Sequence, residues 1–304
     1  MAEELGTAIL LPQSLDAIPL HTAADNPMID TLMIDTHAHL DLPDFDHDRA
    51  DVIGRAEQAG VEWIVCVATT VASSEGVVRL AAEYPSVTAA IGVHPNSAAE
   101  AAPDDFARVE QLLDEVSRES AAEAPNRVVA IGETGMDRYW DFTPIDVQRA
   151  WFARHAELAQ ARDLPLIVHC REAEEEVLGV LREAAGRGPL RGILHAFSGD
   201  ERFAADCLEL GLHISFAGMV SYTNRKFRPL REVARTIPAD RLLIETDSPY
   251  LVPHPLRGKQ KRNEPALVRL TAEALADLRG EQVEELIART SANARRLFRL
   301  PESG

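Results

Sequence analysis

Cysteine is scarce in this chain of 304 residues, and long apolar runs are absent. The three cysteines, Cys66, Cys170 and Cys207, stand far apart and form neither a CxxC pair nor a disulfide framework. No apolar run approaches the roughly 20 residues that a membrane-spanning helix needs. The chain begins with the acidic segment Met1-Ala2-Glu3-Glu4, whereas a secretory signal begins with basic residues. We therefore expect a cytoplasmic protein with no membrane contact, and nothing in the sequence calls for a protein partner.

Lysine is equally rare, and its three occurrences all lie between residues 225 and 262. The whole chain has a net charge of −18, which argues against general affinity for nucleic acids. Residues 225–262 depart from this balance, because ten basic side chains there outnumber four acidic ones. Lys226, Lys259, Lys261 and Arg262 lie in loops after predicted strands, so we expect them to form an anion-binding rim. The alternative is that they are ordinary charges on a solvated surface.

The sequence alternates short segments rich in Val, Ile and Leu with longer amphipathic segments. Strands are predicted at about residues 32–37, 62–68, 87–93, 127–132, 165–169, 191–196, 211–217 and 241–246. Helices are predicted near residues 48–59, 71–84, 104–120, 144–162, 172–186, 199–210, 225–236, 263–279 and 281–298. Eight strands that are each followed by a helix indicate an α/β fold, a single-domain (β/α)8 TIM-like barrel.

Residues 1–31 do not fit this alternation. Pro12, Pro19 and Pro27, with no sustained periodicity around them, indicate an extended or partly ordered N-terminal arm. We place the barrel domain at residues 32–304. Met33 directly precedes the first candidate ligands and could be an internal start that leaves a complete barrel.

The segment Asp35-Thr36-His37-Ala38-His39 closes the first predicted strand. Side chains two apart in a strand point to the same face, so His37 and His39 form a pair that needs little further ordering to chelate a metal ion. Four remote residues also end their own apolar runs, namely Glu133, His169, His195 and Asp247. These ligands would converge easily around a closed barrel but hardly across an open doubly wound sheet, which is the alternative architecture.

This pattern predicts a centre for two divalent ions. We expect His37 and His39 to bind one ion, His169 and His195 the other, and Glu133 to bridge both with its two oxygens. Asp247 would complete the first site and take a proton from a metal-bound water. Such a water titrates at about pH 7 instead of about 16, so hydroxide becomes available for hydrolysis. The sequence does not distinguish Mg, Mn and Zn.

Three further candidate residues lie two positions from a ligand in the sequence, and a fourth, His94, follows the third predicted strand. Glu245, two residues before Asp247, could contact an ion or a ligand, or be a structural carboxylate. Asp35 is expected to orient a ligand rather than bind an ion. His94 could bind a substrate phosphate or cap a loop. Arg171 suits a planar anion clamp, with a surface ion pair as the alternative.

Taken together, these segments resemble the TatD-like metal-dependent deoxyribonucleases of the amidohydrolase superfamily. The resemblance covers roughly residues 33–300. Its signatures are Met33-Ile34-Asp35-Thr36-His37-Ala38-His39-Leu40, Gly92-Val93-His94-Pro95, Gly132-Glu133-Thr134-Gly135-Met136-Asp137, Val168-His169-Cys170-Arg171, His195-Ala196-Phe197-Ser198-Gly199, Glu245-Thr246-Asp247-Ser248-Pro249-Tyr250-Leu251 and Lys261-Arg262-Asn263-Glu264-Pro265.

The resemblance implies a TIM-like barrel, two divalent ions on the six ligands above, and hydrolysis of DNA phosphodiester bonds, often from the 3′ end of single strands. Two features depart from the family pattern. Asn96 stands where many members carry a second histidine, and the residues before Met33 have no counterpart. The competing hypotheses are a carbonyl hydrolase, such as a D-aminoacyl-tRNA deacylase, and a degenerate barrel kept as a metal-binding scaffold.

Overall fold

The hydrophobic segments form eight parallel strands, and amphipathic helices follow them. The computed structural model describes residues 31–123 and 127–301, so the predicted N-terminal arm lies outside the described residues except for residue 31. The strands are β1 (Met33–Ala38), β2 (Val61–Val67), β3 (Val87–Ile91), β4 (Val128–Asp137), β5 (Leu166–Arg171), β6 (Gly192–Leu194), β7 (Leu212–Phe216) and β8 (Leu242–Ile244). The α-helices within the described ranges are α1 (Arg49–Gln58), α2 (Val71–Glu83), α3 (Asp105–Glu123), α4 (Ile145–Ala161), α5 (Glu174–Arg187), α6 (Glu201–Glu209), α7 (Arg228–Thr236), α8 (Val268–Arg279) and α9 (Val283–Phe298).

The sheet runs in sequence order from β1 to β8, with every neighbouring pair parallel. The first strand also meets the segment after β8. The amide of Asp247 donates to the carbonyl of His37 at 2.9 Å, and the amide of His39 donates to the carbonyl of Ser248 at 2.8 Å. The sheet therefore curls into a (β/α)8 barrel, as predicted, and the open-sheet alternative is wrong.

Two strands differ from the predicted boundaries in a way that matters for the site. The apolar run of the fourth strand ends near Ile131, yet β4 continues to Asp137 because its backbone keeps pairing with β5 as far as Arg171. Glu133 and His169 consequently lie within extended strands instead of at their ends. Gly135 permits the close pairing, since a Cβ there would lie 2.0 Å from the carbonyl oxygen of His169.

The helices α7 and α8 begin later than predicted. Short 3-10 turns occupy Arg225–Phe227 and Pro265–Leu267, and the α-helices start directly after them. Proline explains both boundaries. Pro229 stands in the first turn of α7, where its missing N–H costs nothing, and Pro265 begins the turn before α8.

The barrel interior is filled by a small apolar cluster separate from the larger core between strands and helices. It combines Ile34, Val65, Val67, Ala130, Ile167, Ile193 and Leu243 from six strands with Leu297 and Phe298 of α9. The end of α9 thus closes the barrel at the amino ends of the strands. The carboxyl ends remain for polar side chains, which is where barrels of this type place their chemistry. Within the described part of the chain, no helix combines the length and the apolar character needed to cross a membrane.

Candidate metal centre

Four predicted ligands meet at the carboxyl end of the barrel and form the first donor group. The Nε2 atoms of His37 and His39 lie 3.1 Å apart. Oδ1 of Asp247 lies 3.7 Å from the former and 3.5 Å from the latter, and Oε2 of Glu133 lies 3.4 and 3.6 Å from them. These four residues come from β1, β4 and the segment after β8.

The spacing and the hydrogen bonding of this group fit a bound cation. Nδ1 of His39 lies 2.8 Å from the carbonyl oxygen of Val67, so this nitrogen is the donor to that carbonyl and Nε2 is the atom that faces the group. Ligand atoms arranged tetrahedrally at about 2.1 Å from a zinc ion would be about 3.4 Å apart. The distances between the histidine nitrogens and the two carboxylates, 3.4–3.7 Å, match that spacing. Two imidazoles and two carboxylates are therefore arranged as a cation site.

The second donor group lies on the other oxygen of Glu133. Oε1 is 2.9 Å from Nδ1 of His169 and 2.7 Å from Nε2 of His195, and these two nitrogens are 3.3 Å apart. Glu133 is 2% exposed, so its carboxylate has little access to water. One buried carboxylate thus separates two sets of imidazoles, with one oxygen turned to each.

Asp137 belongs to the site although sequence reasoning did not assign it a role. Its Oδ2 lies 2.9 Å from Nε2 of His169, which makes that nitrogen the donor and leaves Nδ1 free as a ligand. Gln148 fixes Asp137 in turn, because its side chain accepts from the amide of Asp137 at 2.8 Å and donates to its carbonyl at 2.9 Å. The spacing in the sequence could have identified Asp137, because it comes four residues after Glu133 and side chains an even number of residues apart in a strand point to the same face.

The carboxylates and imidazoles of the cluster shift the pKa values of one another. Burial alone would raise the pKa of Glu133, but His195 and its neighbours hold that pKa well below its usual value. Burial likewise opposes ionisation of Asp247, and the contact with His39 lowers its pKa. Burial would lower the pKa of His39, yet Asp247 and Glu133 raise it to about 9. The cluster therefore favours the ionised form of both carboxylates, which is the form that binds a divalent ion.

Asp35 and Glu245 contact residues next to the donors. The carboxylate of Asp35 accepts from the amide of Thr246 at 2.9 Å and from its hydroxyl at 2.6 Å, and burial raises the pKa of Asp35 to about 7. Glu245 accepts from the amide of Ala196 at 2.7 Å, and the same oxygen lies 3.4 Å from Nδ1 of His195. Each carboxylate therefore braces the backbone or ring beside a candidate ligand.

His94 faces the second donor group. Its Nδ1 accepts from the amide of Asn96 at 3.0 Å, so in the neutral ring Nε2 carries the hydrogen. That nitrogen lies 3.4 Å from Oε1 of Glu133. Asn96 donates its side-chain amide to Asp137 at 3.3 Å. His94 thus offers a hydrogen-bond donor to the centre.

The predicted basic rim is only partly assembled. Lys226, Lys259 and Lys261 are exposed, and no ion pair involves them among the described residues. Lys226 lies 4.8 Å from the ring centroid of Phe227. The guanidinium of Arg171 lies 3.6 Å from the ring centroid of Tyr139 instead of in a surface ion pair.

Arg262 has a structural role that its sequence position did not reveal. Its guanidinium donates to both oxygens of Asp48, at 2.8 and 2.6 Å, and to the carbonyl of Asp44 at 2.6 Å. It also lies 4.6 Å from the ring centroid of Phe45. These partners hold the loop after β8 against the segment after β1. That Arg262 also binds phosphate stays a prediction.

A groove of about 860 Å³ is lined by residues of α5, α6 and α7 and by none of the candidate metal ligands. Its charged lining consists of Glu174, Glu175, Arg182, Asp200, Arg202, Asp206 and Lys226. Acidic side chains outnumber basic ones there, so the groove is a poor path for phosphates. Lys259 and Lys261 do not line this groove, and their place in the rim stays a prediction.

Comparisons with known proteins give matches that span the whole barrel. The model of a family described as TatD related DNase matches residues 34–299. YabD of Bacillus subtilis, an uncharacterised metal-dependent hydrolase, is 40% identical over 269 residues, which cover 88% of this chain and 100% of that protein. A 3′-5′ ssDNA/RNA exonuclease, TatD of Klebsiella pneumoniae, is 34% identical over 274 residues, covering 90% of this chain and 100% of that protein. The crystal structure of YJJV, a TatD homologue from Escherichia coli, superposes with a TM-score of 0.80 at 29% identity, covering 88% of this chain and 98% of that one.

Proposed function

This chain belongs to the TatD-related DNase family and is a metal-dependent hydrolase, and from that premise we propose that it cleaves phosphodiester bonds of DNA as a 3′-to-5′ exonuclease on single strands. The observation that carries the proposal is the position of Glu133. Its two carboxylate oxygens face two separate groups of imidazoles, which is the arrangement that a pair of bridged ions needs. Relatives that carry the name 3′-5′ ssDNA/RNA exonuclease support the choice of substrate.

We assign the two ions to the two donor groups. His37, His39 and Asp247 would hold one, His169 and His195 the other, with Glu133 shared. Two divalent ions bound there would polarise a phosphoryl oxygen and acidify a water molecule. A donor set this rich in imidazole suits zinc better than magnesium, which prefers oxygen ligands.

The remaining roles belong to side chains of the chain itself. Asp247, ionised and 9% exposed, is positioned to accept the proton of the attacking water. His94 offers its Nε2–H toward the second donor group, where it would donate a hydrogen bond to a phosphate oxygen of the substrate. Lys259 and Lys261 would contact phosphates farther along the strand.

The test is a substrate panel. Metal-depleted protein is resupplied with magnesium, manganese or zinc and offered end-labelled single-stranded DNA, double-stranded DNA, RNA and a D-aminoacyl-tRNA. We expect metal-dependent shortening of single-stranded DNA from its 3′ end. Deacylation without any cleavage of nucleic acid would establish the carbonyl hydrolase instead.

Matched histidine variants separate the metal centre from the surface. His37→Ala and His169→Ala should each lose one bound ion by elemental analysis and most of the activity. His47→Ala is the control, because His47 is exposed and lies outside both donor groups. Full metal occupancy in both site variants would contradict the assignment.

A further inference from the structure

The loop after β4 carries an exposed aromatic cluster. Tyr139, Trp140 and Phe142, which we call the aromatic platform, are 49%, 44% and 62% exposed. The rings of Trp140 and Phe142 stack with centroids 5.4 Å apart and planes inclined by 12°, and Tyr139 meets Trp140 edge-on at 4.8 Å. Exposed apolar side chains gathered in this way mark an interaction site more often than scattered ones do.

The carboxylate of Asp137 contacts both the backbone of the platform and a candidate metal ligand. Oδ1 of Asp137 accepts from the amides of Tyr139 and Trp140 at 2.9 and 3.0 Å. The other oxygen of the same carboxylate lies 2.9 Å from Nε2 of His169, a candidate ligand. The carboxylate of Asp137 therefore positions both the backbone of the aromatic platform and the ring of His169.

A cation completes the surface. The guanidinium of Arg171 lies 3.6 Å from the ring centroid of Tyr139 and 5.8 Å from that of Trp140. On the opposite side of the donors, the ring of Tyr250 is 55% exposed, and its centroid lies 6.2 Å from that of His39. Exposed aromatic rings thus flank the centre on both sides, with positive charge beside them.

Aromatic faces combined with basic groups are the two elements by which proteins bind single-stranded nucleic acids without reading their sequence. The bases of a duplex are stacked on each other and offer no free face. We propose that the aromatic platform stacks the unpaired bases next to the scissile phosphate, so that preference for single strands resides in the loop between β4 and α4. This inference rests on the proposed function and names the structural basis of its substrate class.

Binding can be tested without cleavage, in metal-free protein kept in a chelator. The probes are a fluorescein-labelled single-stranded oligonucleotide, an abasic oligonucleotide of equal length and charge, and a blunt duplex. Trp140 provides a second readout, because stacking on a base quenches indole fluorescence. We expect the base-bearing single strand to bind more tightly than the abasic strand and the duplex, and to quench the protein.

The variants are Trp140→Ala with Phe142→Ala, Trp140→Phe, and Trp151→Phe. Loss of the two exposed rings should weaken binding of the base-bearing strand about 5- to 100-fold and abolish its advantage over the abasic strand. Trp140→Phe should retain affinity while losing the quenching. Trp151→Phe is the matched control, since Trp151 packs against Phe106 and His155 away from the platform, and it should retain both.

Two results would overturn the inference: equal affinity of the wild-type protein for abasic and base-bearing strands, or an unchanged preference in the double variant shown to be folded by its melting curve. Failure of the proposed function looks different. In that case metal-loaded protein cleaves no nucleic acid, whereas the binding assay in chelator still decides whether the platform recognises bases.

Discussion

Replacing Asp137 with asparagine is the most informative single change at this centre. The carboxylate has two sets of partners, the amides of Tyr139 and Trp140 on Oδ1, and the side chains of His169 and Asn96 on Oδ2. All of these partners donate hydrogen bonds. An asparagine has one acceptor and one donor group at the same positions, so it cannot serve both sets.

The consequence falls on the tautomer of His169. If the oxygen of the introduced asparagine stays on the two backbone amides, its NH2 group faces Nε2 of His169, which must then become the acceptor. The ring hydrogen moves to Nδ1, the nitrogen that lies 2.9 Å from Glu133 and would bind the ion. Loss of such a partner of a ligating histidine typically weakens metal binding about 10- to 100-fold, or about 1.4 to 2.7 kcal/mol.

The assay is equilibrium dialysis against buffered zinc, with bound metal measured by elemental analysis. Asp137→Asn should weaken one of two binding steps by that factor and leave the step at His37 and His39 unchanged. Asn96→Ala is the control, since it removes only a bond of 3.3 Å to the same carboxylate and should cost less than about fivefold. Two unchanged steps, or equal weakening of both, would refute the role given to Asp137.

Other contacts give three further predictions. Glu133→Gln should reduce metal binding and turnover more than His37→Ala does, because the amide of glutamine has one oxygen where the two oxygens of Glu133 face the two donor groups. Near-normal turnover with both ions bound would contradict the bridging role of Glu133. Burial lowers the pKa of His155 from 6.5 to about 4. Between these pH values the unfolded chain binds a proton at His155 and the folded protein does not, so the free energy of unfolding falls as pH drops from 6.5 to 4. His155→Gln should flatten that fall in denaturant titrations by up to about 3 kcal/mol, whereas an identical slope would exclude His155 as its source. Replacing Lys259 and Lys261 with glutamine should raise the KM for single-stranded DNA and reduce the slope of log affinity against log salt by about 1.4, and an unchanged slope would remove both lysines from the rim.

The barrel and the predicted ligands were accessible from sequence because both depend on repetition. A strand buried on both faces needs a continuous apolar run, and eight such runs separated by amphipathic segments predict a closed barrel. His37, His39, Glu133, His169, His195 and Asp247 each interrupt or follow one of these runs, where a polar side chain is otherwise out of place. The structure brings all six together.

Other features depended on contacts between residues far apart in sequence. The prediction ended the fourth strand at residue 132 because it followed side-chain polarity, whereas backbone pairing to β5 carries β4 on to Asp137. Arg262 was assigned to a phosphate rim by charge alone, and its partner Asp48 is 214 residues away. The exposure of Trp140 and Phe142 was equally hidden, since apolar side chains in a short run predict burial.

Both donor groups are supported by carboxylates that are not themselves assigned as ligands. Asp35 of β1 accepts two hydrogen bonds from Thr246, the residue before Asp247. These bonds connect the two parts of the first donor group where β1 meets the segment after β8. Asp137 fixes the ring of His169, and Glu245 lies against that of His195. These three side chains cross from one strand or loop to the next and so help to set the distances between donors. The Asp137 brace also holds the backbone of the aromatic platform, so in this barrel the ligand geometry and the surface proposed to receive the bases depend on the same carboxylate.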